Sequence, residues 1–410
     1  MSSRKIIVVG GGAAGFFAAI TCAETMPGAD VTILEQGPSF LAKVRISGGG
    51  RCNATHACSN VREFVSNYPR GGQELIVPME RFGPAETIAW FNKRGVRFYT
   101  QPDGCLFPVT DSSQTIVDCL INAAKAAGVK LRVNSGVERI ENCFNLTLSN
   151  GETLSCDRLL LATGGCRTAE AGQLAVSLGH TLEPPVPSLF TFHLDVPWLR
   201  ELTGIVVESV EVTAEGVRER GTLLFTHTGL SGPVILRLSA WGARALHDCG
   251  YQFPLRLNWL PDLAAEEIAH ELQWRRSQQP ARLVVNTPIA PLPARLWEAL
   301  VLAAGIGRET RWAAISRAAL HRLSQQLTRT ELKVTGKSLH KEEFVTCGGV
   351  RLREVNSRTM ESRHCPGLYF AGELIDIDGL TGGFNFQAAW TTGWIAGNAM
   401  AVTATPPRQP

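Results

Sequence analysis

Three glycines near the start of the chain, Gly10, Gly12 and Gly15, have the spacing G-x-G-x-x-G. Gly10 permits a tight turn, Gly12 lets the backbone approach a diphosphate without an intervening Cβ, and Gly15 lets a helix pack closely on a strand. Glu35 follows twenty residues after Gly15, where a carboxylate can accept hydrogen bonds from a ribose diol. The pattern predicts a bound dinucleotide, because a glycine-rich turn without a ligand would leave Glu35 unexplained.

A strand, a turn, a helix and a second strand must position these residues. Residues 6–9 (IIVV) have the apolar character of a buried strand, residues 16–24 that of a helix, and residues 30–34 that of a second strand that ends at Glu35. The N-terminus of such a helix presents free N–H groups and a partial positive charge to phosphates. The opening of the chain therefore has the βαβ context that a dinucleotide site requires.

The composition is that of an ordinary globular protein. A chain of 410 residues can form two or three domains with a large core, and 44% of its residues are hydrophobic while 19% are charged. The net charge of +3 says little about partners. The first apolar run is too short for a signal peptide and no stretch is long enough to span a membrane, so we expect a cytoplasmic protein without membrane contact.

The cysteines and histidines give no sign of a metal site. The 11 cysteines are scattered without a C-x-x-C pair, which argues against a disulfide framework and against a zinc ribbon. The nine histidines show no metal-ligand spacing. We predict no metal ion, a reducing compartment, and thiols that mostly serve as small core residues.

The character of the sequence changes along the chain. A section up to about Pro187 contains another buried strand, residues 159–161, before a glycine turn. Residues 189–258 alternate in the manner of a small β-rich domain, and residues 261–327 have helical spacing. In the tail, residues 368–371 form a buried strand, and a glycine-rich turn leads to a long helix from about Gln387. The dinucleotide domain is therefore discontinuous, and the C-terminus supplies its last strand and helix.

Three segments favour FAD over NAD as the resident dinucleotide. Residues 47–53 (SGGGRCN) place three glycines where the backbone must lie against something flat or anionic. Residues 162–165 (ATGG) follow a buried strand, and residues 372–373 (GE) precede a second glycine turn at 382–383. A helix N-terminus behind that turn can stabilise the negative charge on the pyrimidine side of a reduced flavin. A second G-x-G-x-x-G is absent, so no dedicated NAD(P) domain is expected.

Motifs spread over nearly the whole chain make it resemble the YhiN/BaiN-type flavoproteins, also known as aminoacetone oxidase-like FAD-binding enzymes. The matching segments are residues 10–15 with Glu35, 47–53, 106–108 (LFP), 162–165, 224–233 (LFTHTGLSGP), 359–362 (TMES), and 367–373 (GLYFAGE) with 382–385 (GGFN). His56 departs from the group, in which Asn is common at this position. Residues 166–172 stand where the group has a longer, glycine-rich loop.

The resemblance implies an α/β fold in three parts. The parts are a discontinuous Rossmann-like FAD domain (residues 1–187 and 348–410), an inserted β-barrel domain (residues 188–259 and 330–347), and a helical insert within the barrel domain (residues 260–329). The predicted FAD contacts are Gly10, Gly12, Ala13, Ala14, Gly15, Glu35, Gln36, Lys43, Ser47, Gly48, Gly49, Arg51, Cys52, Asn53, Val137, Thr163, Gly164, Gly165, Gly372, Glu373, Gly383, Phe384 and Asn385.

Three side chains are candidate catalytic residues: Arg51, Cys52 and His227. Cys52 follows three glycines and an arginine, a setting that can lower a thiol pKa and leave the group exposed, so it is a candidate general acid; the alternative is a small packed thiol beside the cofactor. Arg51 either lines the flavin or binds an anionic substrate, or lies on the surface. His227 can deliver a proton near neutral pH, or can hold a loop by hydrogen bonds.

Charge is distributed unevenly along the chain. Between Glu271 and Lys341, twelve Lys or Arg residues stand against four acids, a net charge of +8, so the remainder carries −5. This basic segment can bind the phosphates of structured RNA while aromatic groups stack on bases, or it is a solvated helical surface. Trp274, Trp297 and Trp312 lie in it, and we expect them to form its core.

These observations together predict an FAD-dependent oxidoreductase that binds FAD non-covalently and takes electrons from NAD(P)H, a small-molecule donor. The resemblance implies one of three substrates: a small amine with oxygen as acceptor, an unsaturated steroid-like ring, or uridine in ribosomal RNA, which is reduced to dihydrouridine. The basic segment favours uridine. The alternatives are a small-amine oxidase that uses oxygen and a flavin-bearing binding factor without turnover. The oligomeric state stays open.

Overall fold

The computed structural model describes residues 4–141, 144–166, 172–338 and 345–402. The strands within them are β1 (Lys5–Val9), β2 (Asp30–Leu34), β3 (Thr55–His56), β4 (Phe98–Thr100), β5 (Cys105–Pro108), β6 (Lys130–Arg132), β7 (Val137–Glu141), β8 (Asn145–Leu148), β9 (Thr153–Ser155), β10 (Arg158–Leu161), β11 (Leu182–Ser188), β12 (Thr191–Leu194), β13 (Val206–Ala214), β14 (Val217–Thr226), β15 (Gly229–Ser231), β16 (Phe253–Asn258), β17 (Thr330–Ser338), β18 (Val345–Val350), β19 (Val355–Asn356), β20 (Glu361–Ser362) and β21 (Leu368–Phe370). The helices are α1 (Ala13–Thr25), α2 (Ala42–Gly50), α3 (Val61–Val65), α4 (Gly72–Arg81), α5 (Pro84–Asn92), α6 (Ser113–Ala126), α7 (Gln173–Ser177), α8 (Pro197–Arg200), α9 (Pro233–Trp241), α10 (Ala243–Asp248), α11 (Ala265–Gln278), α12 (Ala294–Ala303), α13 (Arg317–Thr328) and α14 (Phe384–Ala401).

The chain divides into two compact units. The first comprises Met1–Pro187 and His340–Pro410, and the second comprises Ser188–Leu339. The first unit is built around a seven-stranded sheet in the order β19-β20-β21-β10-β1-β2-β6. The five strands from β21 to β6 are parallel, so their carboxyl ends lie at one edge of the sheet. This is the doubly wound arrangement that binds ligands beyond the carboxyl ends of its strands.

Two helices from opposite ends of the chain pack against each other in the first unit. Helix α1 buries ten of its 13 residues. On α14, a Cβ at Gly393 would lie 2.6 Å from the carbonyl oxygen of Ala14, and one at Gly397 would lie 2.5 Å from that of Ala18. The absence of side chains at these two positions lets the helix backbones approach closely. The C-terminus therefore completes the dinucleotide domain, although α14 begins at Phe384 rather than near Gln387.

The second unit contains a closed antiparallel barrel in the order β12-β15-β14-β13-β16-β17. The chain leaves the barrel after β16, forms helices α11, α12 and α13, and returns in β17. Trp297 and Trp312 are completely buried among these helices, as expected, but Trp274 is 45% exposed, so the expectation of three core tryptophans is wrong for Trp274. Lys341 lies outside the described residues.

One strand lies outside the domain that the sequence predicts for it. The predicted barrel domain includes residues 345–347, but in the structure they belong to β18, which pairs with β11 in a separate two-stranded sheet. The apolar run alone does not reveal which neighbour a strand pairs with. No helix among the described residues combines the length and the apolar character needed to cross a bilayer.

Candidate functional site

The predicted cofactor residues of the first unit follow the carboxyl ends of four adjacent parallel strands. Gly10 follows β1, Glu35 follows β2, Thr163 lies two residues after β10, and Gly372 lies two residues after β21. Because these strands are neighbours in the sheet, segments that are far apart in the sequence meet at one edge. The buried apolar strands thus position the polar turns between them.

The glycine turn after β1 has the shape of a diphosphate cradle. Gly10 has a φ of +111°, and a Cβ there would lie 2.2 Å from the carbonyl oxygen of Ala162. A Cβ at Gly15 would lie 2.0 Å from the carbonyl oxygen of Gly10. At Gly12, which caps α1, a Cβ would meet nothing within 4 Å. Two of the glycines are thus required by close packing, whereas Gly12 borders open space in front of the helix N-terminus.

The carboxylate of Glu35 is fixed beside this turn. Its Oε2 accepts a hydrogen bond from the backbone N–H of Gly11 at 2.8 Å, and its Oε1 accepts one from Gly37 at 2.8 Å. Each oxygen keeps a second lone pair for a ribose hydroxyl. Gln36 and the start of β7 are brought to the same place, since a Cβ at Gly136, which precedes Val137, would lie 3.2 Å from Cγ of Gln36. These residues form the nucleoside end of the candidate site.

The segment 47–53 bends sharply at the end of α2. Ser47 is extended, with a ψ of 148°, and Gly48 and Gly49 have left-handed φ values of +57° and +67°. A Cβ at Gly49 would meet nothing within 4 Å, so this bend presents bare backbone to open space. With its amide oriented to satisfy both groups, Asn53 donates to the carbonyl of Thr55 at 2.9 Å and accepts from the N–H of Gly383 at 3.2 Å. The bend is thereby tied to the N-terminus of α14.

Cys52 differs from the sequence expectation. Its side chain is completely buried and its φ is +62°. Burial raises the pKa of the thiol to about 12, and a hydrogen bond with Ser47 only partly offsets this rise. The expectation of an exposed thiol with a lowered pKa is therefore wrong, because the segment turns this side chain into the core rather than towards the open face.

Arg51 lies at the surface of the same bend. Its guanidinium is 4.2 Å from the ring centroid of Phe107 and 4.0 Å from the carboxylate of Asp111, and 39% of its side chain is exposed. The cation is therefore held over an aromatic face while still accessible to an anionic ligand. Its predicted role stays a prediction.

The turns after β10 and β21 meet each other. A Cβ at Gly165 would lie 2.3 Å from Oγ1 of Thr346 and 2.8 Å from Oε1 of Glu373. Glu373 accepts a hydrogen bond from the N–H of Thr346 at 2.8 Å and forms an ion pair with Lys43 at 2.5 Å. Two predicted contacts, Lys43 and Glu373, are thus direct partners, and the half-exposed lysine carries a positive charge at the sheet edge.

The N-terminus of α14 is fixed by its own turn. Gly383 has a φ of +92°, and a Cβ there would lie 2.5 Å from the carbonyl carbon of Thr55. Asn385 donates to and accepts from the backbone of Gly379, both at 2.8 Å, so its amide braces the turn. Phe384 is buried and its ring stacks on that of His56 at 4.9 Å. In this structure Phe384 and Asn385 position the helix end.

An ion pair that the sequence did not predict holds this turn. Asp378 is completely buried, and Arg70 donates to it through Nε at 2.5 Å and through Nη2. The N–H of Leu380 donates to the carbonyl of Asn67 at 2.9 Å, and the hydroxyl of Tyr68 donates to the carbonyl of Phe384 at 2.6 Å. An acidic pair just before the glycine turn, at 376 and 378, was the available sequence signal.

A group of potential metal ligands lies elsewhere in the first unit. The ligand atoms of His180, Glu354 and His364 lie within 4.8 Å of one another. The ring nitrogens of His180 are hydrogen bonded to Glu354 at 3.0 Å and to Ser362 at 2.9 Å. Glu354 also accepts from the N–H of Thr181 at 2.9 Å. The geometry is that of a hydrogen-bonded buried network, and the absence of a metal stays a prediction.

His227 belongs to the second unit. It is exposed in the tight turn between β14 and β15, where Thr226 and Gly229 pair. The imidazole is therefore accessible to solvent. The predicted role of His227 in proton transfer stays a prediction.

Comparison with known proteins decides the family. A family model described as HI0933-like protein Rossmann domain matches residues 4–399. The chain belongs to the HI0933-like Rossmann family. A ribosomal RNA dihydrouridine synthase of Escherichia coli K12 is 34% identical, over 96% of this chain and 97% of that protein. A 3-dehydro-bile acid delta(4,6)-reductase of Clostridium scindens is 28% identical, over 97% of this chain and 99% of that protein.

Solved structures share the fold of this HI0933-like protein. An open conformation of a flavocytochrome c3 fumarate reductase is matched with a TM-score of 0.51 at 16% identity, over 98% of this chain and 78% of that chain. The predicted family and the predicted combination of a Rossmann-like domain with a barrel are therefore confirmed.

The HI0933-like protein is an FAD-dependent oxidoreductase, and its residues fit the cofactor. Backbone without side chains borders open space at Gly12, Gly49 and Gly164, as a cofactor lying along the sheet edge requires. Glu35 is placed for the ribose, and the N-terminus of α1 for the diphosphate. The bound flavin supplies hydride or electron transfer, while the protein supplies position and charge.

Proposed function

We propose that this HI0933-like protein reduces uridine in structured RNA to dihydrouridine, with FAD as the resident cofactor and NAD(P)H as the electron donor. The carbon–carbon double bond of the base gains a hydride on one carbon and a proton on the other, and NAD(P)H is oxidised to NAD(P)⁺. The observation that carries the proposal is the net charge of +8 on residues 271–341, the basic segment. Curated relatives of E. coli and Haemophilus influenzae, at 34% and 29% identity, are named ribosomal RNA dihydrouridine synthases.

Few cations of the basic segment are neutralised by ion pairs. Of the eleven described cations between positions 271 and 338, Arg275 and Arg308 are the ones that form an ion pair with a described acid, Glu271 and Glu298 respectively. None of the other nine has an ion pair with a described acid, and the rest of the protein is net negative. An excess of positive charge of this kind attracts a phosphate backbone and gives binding that weakens steeply with salt.

Charge reversal tests the contact with RNA. Arg276, Arg282 and Arg317 are suitable, since none of them has an ion-pair partner among the described residues. Arg275 is not suitable, because it donates to the carbonyls of Thr287 and Pro288 and so holds the fold of the insert. Changing the three suitable arginines to Glu should weaken RNA binding and lower the slope of log K against log salt by up to about 3.

A matched control changes the same amount of charge elsewhere. Lys93, Arg97 and Lys125 are exposed cations of the first unit, and their reversal to Glu should leave RNA binding close to that of the wild type. Equal losses in the two triple variants would mean that total charge, and not the insert, governs binding. Unchanged binding after reversal of the insert would contradict the proposal.

An anaerobic experiment tests the reaction itself. NADH or NADPH should bleach the flavin absorbance, and in vitro transcribed ribosomal RNA should restore it and gain the mass of two hydrogens at a uridine. Restoration by an unsaturated steroid but not by RNA would favour a ring reductase. Peroxide formation from a small amine without NAD(P)H would favour an amine oxidase. A flavin that no donor bleaches would indicate a flavin-bearing binding factor without turnover.

The proton donor is tested by two substitutions. Cys52 has no exposed surface, so Cys52→Ser should retain dihydrouridine formation. His227→Asn should slow it without changing the bleaching of the flavin by NAD(P)H, if the exposed imidazole supplies the proton. Retained activity in His227→Asn would exclude His227 as the proton donor.

A further inference from the structure

His56, in β3, is held against the start of α14. Its imidazole ring stacks on the ring of Phe384, the first residue of α14, with the centroids 4.9 Å apart and the ring planes 29° apart. The imidazole also lies against the backbone of Gly104, where a Cβ would come within 2.4 Å of Nε2. An aromatic ring and a glycine that leaves no room for a side chain thus fix the orientation of the imidazole.

This orientation places Nδ1 of His56 beside the glycine turn that precedes α14. A Cβ at Gly382 would lie 3.6 Å from Nδ1 and 3.1 Å from the ring of Phe384. Nδ1 is buried and has no hydrogen-bond partner among the described residues. Because a buried nitrogen without a partner is destabilising, a group that binds at this turn is expected to supply the partner.

The polar side chains around this ring are satisfied within the protein. The amide of Asn53 is hydrogen bonded to the backbone through both its nitrogen and its oxygen. The hydroxyl of Thr55 donates to the amide oxygen of Gln387 at 2.6 Å. The amide of Asn385 both donates to and accepts from the backbone of the turn. The local fold therefore accounts for these groups, whereas it does not account for Nδ1 of His56.

The position of the turn indicates which part of a flavin would meet Nδ1. The N-terminus of α14 carries a partial positive charge, which stabilises the pyrimidine ring of a flavin when reduction makes that ring negative. The pyrimidine ring has carbonyl oxygens that accept hydrogen bonds. A donor at Nδ1 acts in the same sense as the helix N-terminus, because both stabilise negative charge at one place.

We propose that His56 is a further residue of the flavin site, and that its Nδ1–H donates a hydrogen bond to the pyrimidine ring of FAD. This bond raises the reduction potential of the flavin, because a hydrogen bond to an ionised acceptor is stronger than one to a neutral acceptor. The inference concerns the cofactor alone. It therefore goes beyond the proposed reduction of uridine and does not depend on which acceptor the enzyme reduces.

Three substitutions separate the nitrogen from the ring. His56→Phe keeps an aromatic ring next to Phe384 but removes the donor. His56→Asn can place an amide nitrogen close to the position of Nδ1, whereas His56→Gln places its amide nitrogen closer to that of Nε2. Anaerobic reductive titration of the FAD-loaded full chain against a reference dye, at one pH, gives the midpoint potential of the flavin in each variant.

The variants should differ in how strongly they favour the reduced flavin. His56→Phe should lower the preference for the reduced over the oxidised cofactor about tenfold, which is a fall of about 30 mV for a two-electron couple. His56→Gln should shift the potential in the same direction, and His56→Asn should keep it close to that of the wild type. If His56→Phe does not fold, the comparison of the two amide variants decides in the same way.

His364→Phe is the matched control. His364 belongs to the same unit, and its half-exposed side chain faces Glu354 at 3.9 Å, so its replacement should leave the potential unchanged. The inference would be overturned by a wild-type potential in His56→Phe, by equal potentials in the two amide variants, or by an equal fall in His364→Phe. If the potentials follow the prediction while RNA fails to reoxidise the flavin, the inference stands and the proposed function fails.

Discussion

Replacing Asp378 by Asn should destabilise the first unit by about 3 to 5 kcal/mol, because it removes one partner of a buried ion pair. Asp378 is completely buried and the side chain of Arg70 is only 16% exposed. The neutral amide keeps one acceptor oxygen, but it removes the negative charge that directly contacts the guanidinium at a site largely shielded from water. Exposed ion pairs, in contrast, contribute about 0 to 1 kcal/mol.

The measurement is urea unfolding of the FAD-loaded protein at constant pH. Arg132→Gln is the matched control, since Arg132 forms a two-bond ion pair with Glu152 in which both side chains are a third or more exposed. The control should lose less than about 1 kcal/mol. A double variant with Arg70→Met and Asp378→Leu should recover much of the loss, because apolar residues of similar volume replace a buried pair at little cost.

The same variant should affect the cofactor. The turn at 379–383 leads directly into α14, and Asp378 holds the start of that turn. We therefore expect Asp378→Asn to weaken FAD binding and to shift the flavin reduction potential, while Arg132→Gln changes neither. A loss of stability below about 1 kcal/mol, or a double variant as unstable as the single one, would refute the reasoning from burial.

Three further outcomes follow from the site and its surroundings. Gly12→Ala should fold normally, since a Cβ there meets only open space, but it should bind FAD more weakly because that space is the one the cofactor would occupy. Gly15→Ala should fail to fold stably, because its Cβ would lie 2.0 Å from a carbonyl oxygen. Thermal unfolding and FAD titration distinguish the two variants. Cys52 should stay unmodified by iodoacetamide at pH 8 in the folded protein, because burial raises its pKa to about 12; peptide mass mapping after the reaction would show a labelled Cys52 if this is wrong. Burial lowers the pKa of His180 even though Glu354 opposes the shift. As the pH drops below about 6.5, the unfolded chain therefore takes up a proton that the folded protein does not, and the free energy of unfolding should fall. A His180→Gln variant whose urea midpoint has the same pH dependence as that of the wild type would contradict this.

The relation between sequence and site differs from residue to residue. The turn with Gly10, Gly12 and Gly15 and the position of Glu35 were predictable because local spacing dictates both the bend and the ligand geometry. The environment of Cys52 was not, because the direction of a side chain in a bend with left-handed residues depends on what packs against it. The residues next to Cys52 in the sequence are compatible with both an exposed, reactive thiol and a buried, inert one.

The sequence by itself determined the order of elements, the family, and the edge of the sheet at which a dinucleotide lies, since these follow from hydrophobic periodicity and from the spacing of the glycines and motifs. Only the tertiary structure decided which charges are paired and which surfaces are free. Arg70 with Asp378 and Lys43 with Glu373 are each separated by more than 300 residues in the sequence, and Trp274 is distinguished from Trp297 and Trp312 by exposure alone. Pairing and burial arise from the meeting of distant segments, which composition and spacing do not encode.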